Sequence, residues 1–128
     1  MRRLFVLAIS VMALELLSAC GKDSDLPATT VNVRLQEFKI ESSVTSFESG
    51  KPYAFVVENR GSLKHEFMMT EMGGSHNMGV MMDIGEDMMG PGMVQTKKFT
   101  FNKSGEVEFA CHLPGHYEGG MKLSVMVR

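Results

Sequence analysis

Three residues near the C-terminus combine metal-binding side chains at a regular spacing. Cys111, His116 and Met121 follow the pattern Cys-x4-His-x4-Met, and a second imidazole, His65, lies upstream. A thiolate and two imidazoles, with a thioether as weak axial ligand, form the ligand set of a blue-copper site. The pattern therefore predicts one copper ion held by these four side chains.

Two other interpretations explain less of the pattern. Zinc also accepts one Cys and two His, but a thioether is a poor ligand for zinc. His65 and His116 could instead be ordinary core or surface histidines, which leaves the agreement of four ligand types unexplained. Copper accounts for all four residues, so we expect copper.

Alternating apolar residues predict short β-strands through the rest of the chain. Side chains on a strand point to opposite faces in turn, so every second residue shares a face. The inward positions predicted this way are Val31, Val33 and Leu35, continued by Phe38, Ile40 and Val44, then Tyr53, Phe55 and Val57, then Phe99 and Phe101 in a strand over 94–101.

The same alternation positions the ligands. It places His65 in a strand, on one face with Leu63 and Phe67. It places Cys111 on one face with Val107 and Phe109, and Met121 with Leu123, Val125 and Val127. His116 falls in the loop between these last two strands. Short strands, frequent turns and no helical periodicity predict an all-β fold, an antiparallel sandwich of two sheets.

From residue 31 to residue 128 the chain resembles a cupredoxin. In that family a mid-chain His is followed by a Cys, a second His and a Met from the last loop and strand, the order of His65, Cys111, His116 and Met121. The segment Cys-His-Leu-Pro-Gly-His is similar to the azurin loop, whereas the His-to-Met spacing resembles plastocyanin. The resemblance implies a Greek-key β-sandwich.

The resemblance also implies a function. Cupredoxins carry single electrons, so copper would cycle between two oxidation states. His116, on a loop with Leu113, Pro114 and Tyr117, would be the electron exit. The implied partners are redox proteins of the cell envelope, bound weakly and transiently.

Two residues beside the ligands need separate interpretation. His112 directly follows Cys111, so on a strand it would point to the opposite face; we expect it to face outward and not to bind copper. Glu66 follows His65 where many cupredoxins have Asn. Glu66 as an alternative ligand, as in red copper proteins, stays open.

A methionine-rich insertion spans residues 68–93. It holds nine of the thirteen Met, interleaved with Gly, and His76 and Asp83 add potential ligands. It resembles the Met-rich stretches of copper-resistance and copper-trafficking proteins, and thioethers suit Cu(I). Three interpretations stay open: a second Cu(I) site, an apolar docking surface for a redox partner, or a Gly-rich loop or short helix packed over the sandwich. The first makes copper handling, with copper-trafficking partners, the alternative function.

The first 30 residues predict a leader and a tether. Arg2 and Arg3 precede an apolar run, and Leu17-Ser18-Ala19-Cys20 resembles the lipobox of bacterial lipoproteins. The resemblance implies a signal peptide over 1–19, a lipid on Cys20 and a flexible tether over 20–30. It also implies a periplasmic domain anchored to a membrane, with the outer membrane slightly favoured by Gly21.

Composition restricts the remaining functions. The 128 residues carry a formal net charge of −2, and no basic stripe suggests nucleic-acid binding. Four His in the whole chain are too few for a multicopper oxidase. We therefore expect a metal-binding protein that is not an enzyme.

Overall fold

The computed structural model describes residues 28–128, which form nine β-strands without an α-helix. The strands are β1 (Thr29–Gln36), β2 (Lys39–Ser42), β3 (Ser46–Phe47), β4 (Pro52–Asn59), β5 (Phe67–Ser75), β6 (Met78–Ile84), β7 (Val94–Thr100), β8 (Gly105–Ala110) and β9 (Lys122–Val127), with a 3-10 turn at Glu86–Met88. No helix in this part of the chain has the length and apolarity that crossing a membrane requires. The predicted leader (1–19) and Cys20 lie outside the described residues, and β1 begins inside the predicted tether.

The strands form two sheets, so the all-β sandwich is confirmed. One sheet has the order β2-β1-β4-β7 and the other β3-β9-β8-β5-β6. The sheets are mixed rather than antiparallel, because β1 pairs with β4, and β3 with β9, in parallel. Parallel neighbours require a crossover. Here the chain crosses to the second sheet at β3 before returning as β4.

The core follows the predicted alternation in most strands. Val31, Val33 and Leu35 of β1 are buried, and so are Tyr53, Phe55 and Val57 of β4. Phe47 lies between the sheets, with its ring centroid 5.0–6.0 Å from those of four other aromatic residues. Those residues are Tyr53, Phe55, Phe101 and Phe109. These edge-on and tilted ring contacts join the two sheets across the core.

Phe38 departs from the predicted inward series. It lies in the turn between β1 and β2 with φ 59°, and it is 50% exposed. The left-handed backbone at this position turns the ring out of the pleat, so the alternation ends at Leu35 and resumes at Ile40, which is buried.

The methionine-rich segment is mostly a β-hairpin. β5 and β6 pair antiparallel and form one edge of the five-stranded sheet, with register shifts after Met69 and Thr70. The prediction of a Gly-rich loop or short helix over the sandwich is therefore wrong. Glycine at positions with positive φ, such as Gly73 and Gly79, lets the hairpin bend instead of breaking it.

Candidate metal centre

Two loops meet at one end of the sandwich and carry the predicted ligands. Residues 60–66 join β4 to β5, and residues 111–121 join β8 to β9. The register pairs Met68 with Ala110 and Ala110 with Lys122. The start of β5, the end of β8 and the start of β9 therefore lie side by side, which brings both loops together.

The donor atoms of His65, Cys111 and His116 converge on one point. The two Nδ1 atoms are 3.2 Å apart, and the Cys111 Sγ lies 3.4 Å from the His116 Nδ1. All three residues offer a ligand atom within 4.8 Å of the others. His65 and Cys111 are fully buried and His116 is half-buried.

Met121 is tied by its backbone to both neighbouring ligands. Its carbonyl accepts the Cys111 N–H at 3.1 Å, and its N–H donates to the His116 carbonyl at 3.0 Å. Its side chain is fully buried within the cluster that also contains Cys111. The backbone of Met121 is therefore fixed beside Cys111 and His116, and its thioether is buried.

His65 is not in a strand, contrary to the prediction. β5 begins at Phe67, and Leu63, expected on the same inward face as His65, is 49% exposed. The loop instead fixes His65 through its N–H, which donates to the Met89 carbonyl at 3.1 Å. Asn59 donates to the carbonyls of Leu63 and Met89 at 2.8 and 2.7 Å, which joins the loop to the segment after β6.

The donor set fits a thiophilic metal such as copper. Burial lowers the pKa of His65, and His116 lowers it further, so the imidazole is kept neutral and free to bind a metal. Burial raises the pKa of the Cys111 thiol, although the N–H groups of Glu66 and Leu113 oppose this effect. The Glu66 N–H lies 3.5 Å from the Cys111 Sγ and would stabilise a thiolate there.

Glu37 and Gly61 also shape the site, and the sequence analysis missed both. The Glu37 Oε1 accepts the N–H groups of Ser62 and Leu63 at 2.5 and 2.9 Å and lies 3.9 Å from the His65 Nε2. A Cβ on Gly61 would stand 2.6 Å from that Oε1 and 2.8 Å from that Nε2. The Glu37 carboxylate does not hydrogen-bond to the His65 ring, whose Nε2 is buried without a partner, so Glu37 acts on the site through the loop N–H groups that it accepts. No local pattern reveals this contact, because it joins residues more than twenty positions apart.

Glu66 and His112 belong to a separate polar group beside the site. The buried Glu66 accepts the His112 N–H at 2.7 Å and lies 2.9 Å from the His76 Nε2, so its carboxylate is not in the converging set. His112 does not project freely outward as expected: its ring stacks on Tyr117 at 4.7 Å, and its Nε2 is buried without a hydrogen-bond partner. The loop curls after Cys111, which ends the alternation that predicted an outward side chain.

Apolar side chains lie on the loops that carry His65 and His116 and in the turn before β2. The Phe38 ring meets the His116 ring edge-on at a centroid distance of 5.9 Å. Leu113 is half-buried and Pro114 is exposed on the same loop, and Leu63 is exposed on the facing loop. We call Phe38, Leu63, Leu113 and Pro114 the apolar patch. The sequence analysis missed Phe38 and Leu63 because it assigned both to the core.

The methionines of the 68–93 segment divide into two sets. Met68, Met69, Met82 and Met89 are buried in the core or nearly so, whereas Met72, Met78, Met88 and Met93 are exposed. Asp83 is exposed, pairs with Met68 across the hairpin and is not in the converging set. Met81 is half-buried and packs against the core, so five of the nine suggested thioether ligands serve packing.

Comparison with known proteins agrees with the fold and with copper. No protein-family model matches the sequence. The chain is 30% identical over 109 residues to the copper-resistant cuproprotein CopI of Rubrivivax gelatinosus, covering 77% of this chain and 66% of that protein. It is 34% identical over 85 residues to CopI of Vibrio cholerae, covering 56% of this chain and 47% of the relative. The chain thus spans less than two thirds of either relative.

Solved structures show the same architecture at low identity. Auracyanin from Roseiflexus castenholzii superposes with a TM-score of 0.63 at 20% identity, covering 79% of this chain and 98% of that one. The blue copper protein auracyanin A of Chloroflexus aurantiacus gives 0.67 at 13% identity, covering 80% and 100%. A multicopper oxidase from Campylobacter jejuni gives 0.61 at 14% identity, covering 81% of this chain but 31% of the enzyme.

The sandwich, the copper-protein relatives and the His-Cys-His-Met set at one end identify this chain as a copper-binding protein of the cupredoxin fold.

Proposed function

We propose that this chain is a one-electron carrier whose type 1 site is formed by His65, Cys111, His116 and Met121. Copper bound there supplies a one-electron change between Cu(II) and Cu(I). One observation supports the proposal above others: the donors are buried and fixed by backbone hydrogen bonds, and only His116 reaches the surface. Such a site resists rearrangement when the charge of the metal changes. It also offers the electron one short route from the metal to the protein surface, through His116.

The apolar patch around His116 would receive a redox partner. Phe38 and Leu63 are 50% and 49% exposed and adjoin the same loops as the ligand histidines. A small apolar surface suits the weak, short-lived contacts of electron transfer. A partner resting on the patch would meet the edge of the His116 ring, on the opposite side from the buried Cys111.

Electron exchange with a soluble cytochrome c tests this proposal. Copper-loaded full chain is mixed with the reduced cytochrome, and the second-order rate constant is measured by stopped flow. Leu63→Ser should lower that constant about tenfold without changing the visible spectrum, because it removes an exposed apolar contact. Met126→Ser is the matched control, since Met126 is 42% exposed and lies near the far end of β9.

One result would contradict the carrier function, and another would contradict the docking surface. A copper-loaded protein that exchanges no electrons refutes the function itself. Equal rate constants for Leu63→Ser and Met126→Ser refute the apolar patch as the docking surface.

Copper handling is the second candidate function. Two observations favour it: both curated relatives are called copper-resistant cuproproteins, and the thioethers of Met72 and Met78 are 46% and 68% exposed at the end of the hairpin. Exposed thioethers bind Cu(I) and release it readily. Under anaerobic reducing conditions a handling protein should bind Cu(I) beyond the first site, and the double change Met72→Leu, Met78→Leu should abolish that excess. A carrier should show no excess Cu(I).

We further propose that the chain is not an enzyme and works in the periplasm, anchored by a lipid on Cys20, with the outer membrane favoured. The basic start, apolar run and lipobox-like Leu17-Ser18-Ala19-Cys20 support the anchor. Its partners would be redox proteins or copper-trafficking proteins of the cell envelope. Incorporation of a labelled fatty acid, lost in Cys20→Ala, tests the anchor; an unlabelled wild-type chain would refute it.

A further inference from the structure

Two histidines outside the copper site lie together beside a buried carboxylate. His76, at the tip of the β5–β6 hairpin, and His112, in the loop after β8, are 36 residues apart in the chain, yet their ring centroids are 5.3 Å apart. Glu66 lies against both, with Oε1 2.9 Å from the His76 Nε2 and 2.7 Å from the His112 N. With His65 and His116 in the copper site, every histidine of the chain is now at this end of the sandwich.

The second histidine pair repeats the geometry of the first. His65 and His116, whose Nδ1 atoms converge, have ring centroids 5.1 Å apart and an interplanar angle of 62°. His76 and His112 have centroids 5.3 Å apart and the same angle of 62°. The two pairs are alike in ring spacing and tilt, but the ligand atoms of His65 and His116 already converge with that of Cys111 within 4.8 Å, whereas those of His76, His112 and Glu66 do not.

The polar atoms of this group are not fully satisfied by the protein. The His112 Nε2 is buried and has no hydrogen-bond partner. The side chain of Glu66 is 7% exposed, and the His76 ring is the one side chain that meets its carboxylate. A buried carboxylate and an unpartnered imidazole nitrogen carry a desolvation cost that a bound cation would offset.

We propose that His76, Glu66 and His112 form a second metal site for a divalent transition-metal ion, with Cu(II) the preferred one. Imidazole and carboxylate ligands suit divalent copper and zinc, and Cu(II) binds such sites most tightly in the first transition series. The site differs in chemistry from a Cu(I) site of methionines. It does not depend on the electron-carrier function proposed above.

The three residues have to draw together around the ion. The three ligand atoms do not lie within 4.8 Å of one another, unlike those of His65, Cys111 and His116. The His76 side chain is 51% exposed, and its neighbours on the tip are exposed as well. Because the His76 Nε2 and the Glu66 carboxylate are already 2.9 Å apart, the movement required is an approach between this pair and the His112 ring.

Copper titration of the metal-free full chain, followed by electron paramagnetic resonance, tests the proposal. We expect two Cu(II) per chain, one with thiolate-to-copper absorption and one with the wide hyperfine splitting of nitrogen and oxygen ligands. His76→Ala should remove the second signal and leave the first. Asn77→Ala, a change at the neighbouring exposed turn position, should keep both.

Cys111→Ser separates this proposal from the copper site of the carrier. That variant should lose the thiolate absorption but keep the second signal, so a failure of the first site leaves the second measurable. One Cu(II) per wild-type chain would overturn the proposal. So would a second Cu(II) that persists in His76→Ala.

Discussion

Replacing Gly61 by alanine should weaken the copper site without touching a ligand. The new Cβ would lie 2.8 Å from the His65 Nε2 and 2.6 Å from the Glu37 Oε1, whereas ordinary contact begins at 3.4 Å. The imidazole would have to retreat by about 0.6 Å and the carboxylate by about 0.8 Å. His65 is fully buried and tied by its N–H to the Met89 carbonyl, so it has little room to do so.

The expected magnitudes follow from this clash. Overpacking of a filled site costs about 1–3 kcal/mol, which should appear as a lower free energy of unfolding of the metal-free protein in urea. Displacing His65, and the Glu37 carboxylate that holds its loop, disturbs the surroundings of a ligand, and such changes lower metal affinity roughly 10- to 100-fold. Copper affinity is measured by competition with a chelator of known affinity, and the visible spectrum reports any change at the thiolate.

Gly85→Ala is the matched control. A Cβ there meets nothing within 4 Å, and its φ of −65° is allowed for alanine. We expect it to leave copper affinity and spectrum unchanged. If Gly61→Ala and Gly85→Ala bind copper equally well, the steric role of Gly61 beside His65 is refuted.

Three further predictions concern pH and packing. Burial raises the pKa of the Cys111 thiol, so copper binding should release one proton. The apparent copper affinity should therefore rise about tenfold per pH unit between about pH 7 and 8.5. A copper affinity that is independent of pH in chelator competition would contradict this. The pKa of Glu37 is lowered to about 2 by its own N–H and those of Leu63 and Ser62. The unfolded chain therefore binds more protons than the folded chain as the pH falls from about 4.5 to about 2, so the free energy of unfolding of the metal-free protein should decrease over this range. The decrease should be smaller in Glu37→Gln. Equal decreases in acid unfolding would exclude Glu37 as a source of the pH dependence. Phe109→Ala should cost about 3–5 kcal/mol in urea unfolding, because this fully buried ring packs on Phe67 at 5.2 Å; a cost below about 1 kcal/mol would contradict the core described.

The strands with regular alternation were predictable from sequence. β1 and β4 bury the residues that the pattern predicted, because one face of each strand meets the opposite sheet. The metal-binding residues of the last loop were equally predictable, because Cys111, His116 and Met121 lie close in the chain and their spacing is visible in the sequence. The periodicity indicates which side of a strand faces the core.

Alternation does not reveal the neighbour of a strand. The parallel pairings of β1 with β4 and of β3 with β9 depend on contacts between distant segments. For the same reason the sequence did not reveal the role of Glu37, whose partners Ser62 and Leu63 lie 25 and 26 residues away. Nor did the sequence reveal the group of Glu66, His76 and His112, which three separate segments assemble.

Single backbone conformations explain the other errors. Phe38 turns outward because its φ is 59°, and His65 lies in a loop that reaches the core without being a strand. The glycines of the 68–93 segment suggested a loop, but at Gly73 and Gly79 their positive φ shapes a hairpin. Composition alone cannot separate these outcomes, since glycine serves loops and bent strands alike.

The visible spectrum and metal content of the copper-loaded full chain test the central claim most directly. The account predicts that one of the copper ions bound per chain gives intense thiolate-to-copper absorption, which is abolished by Cys111→Ala and retained in His76→Ala. A protein that stays colourless with copper, or that prefers zinc at the His65–Cys111–His116 cluster, would contradict it.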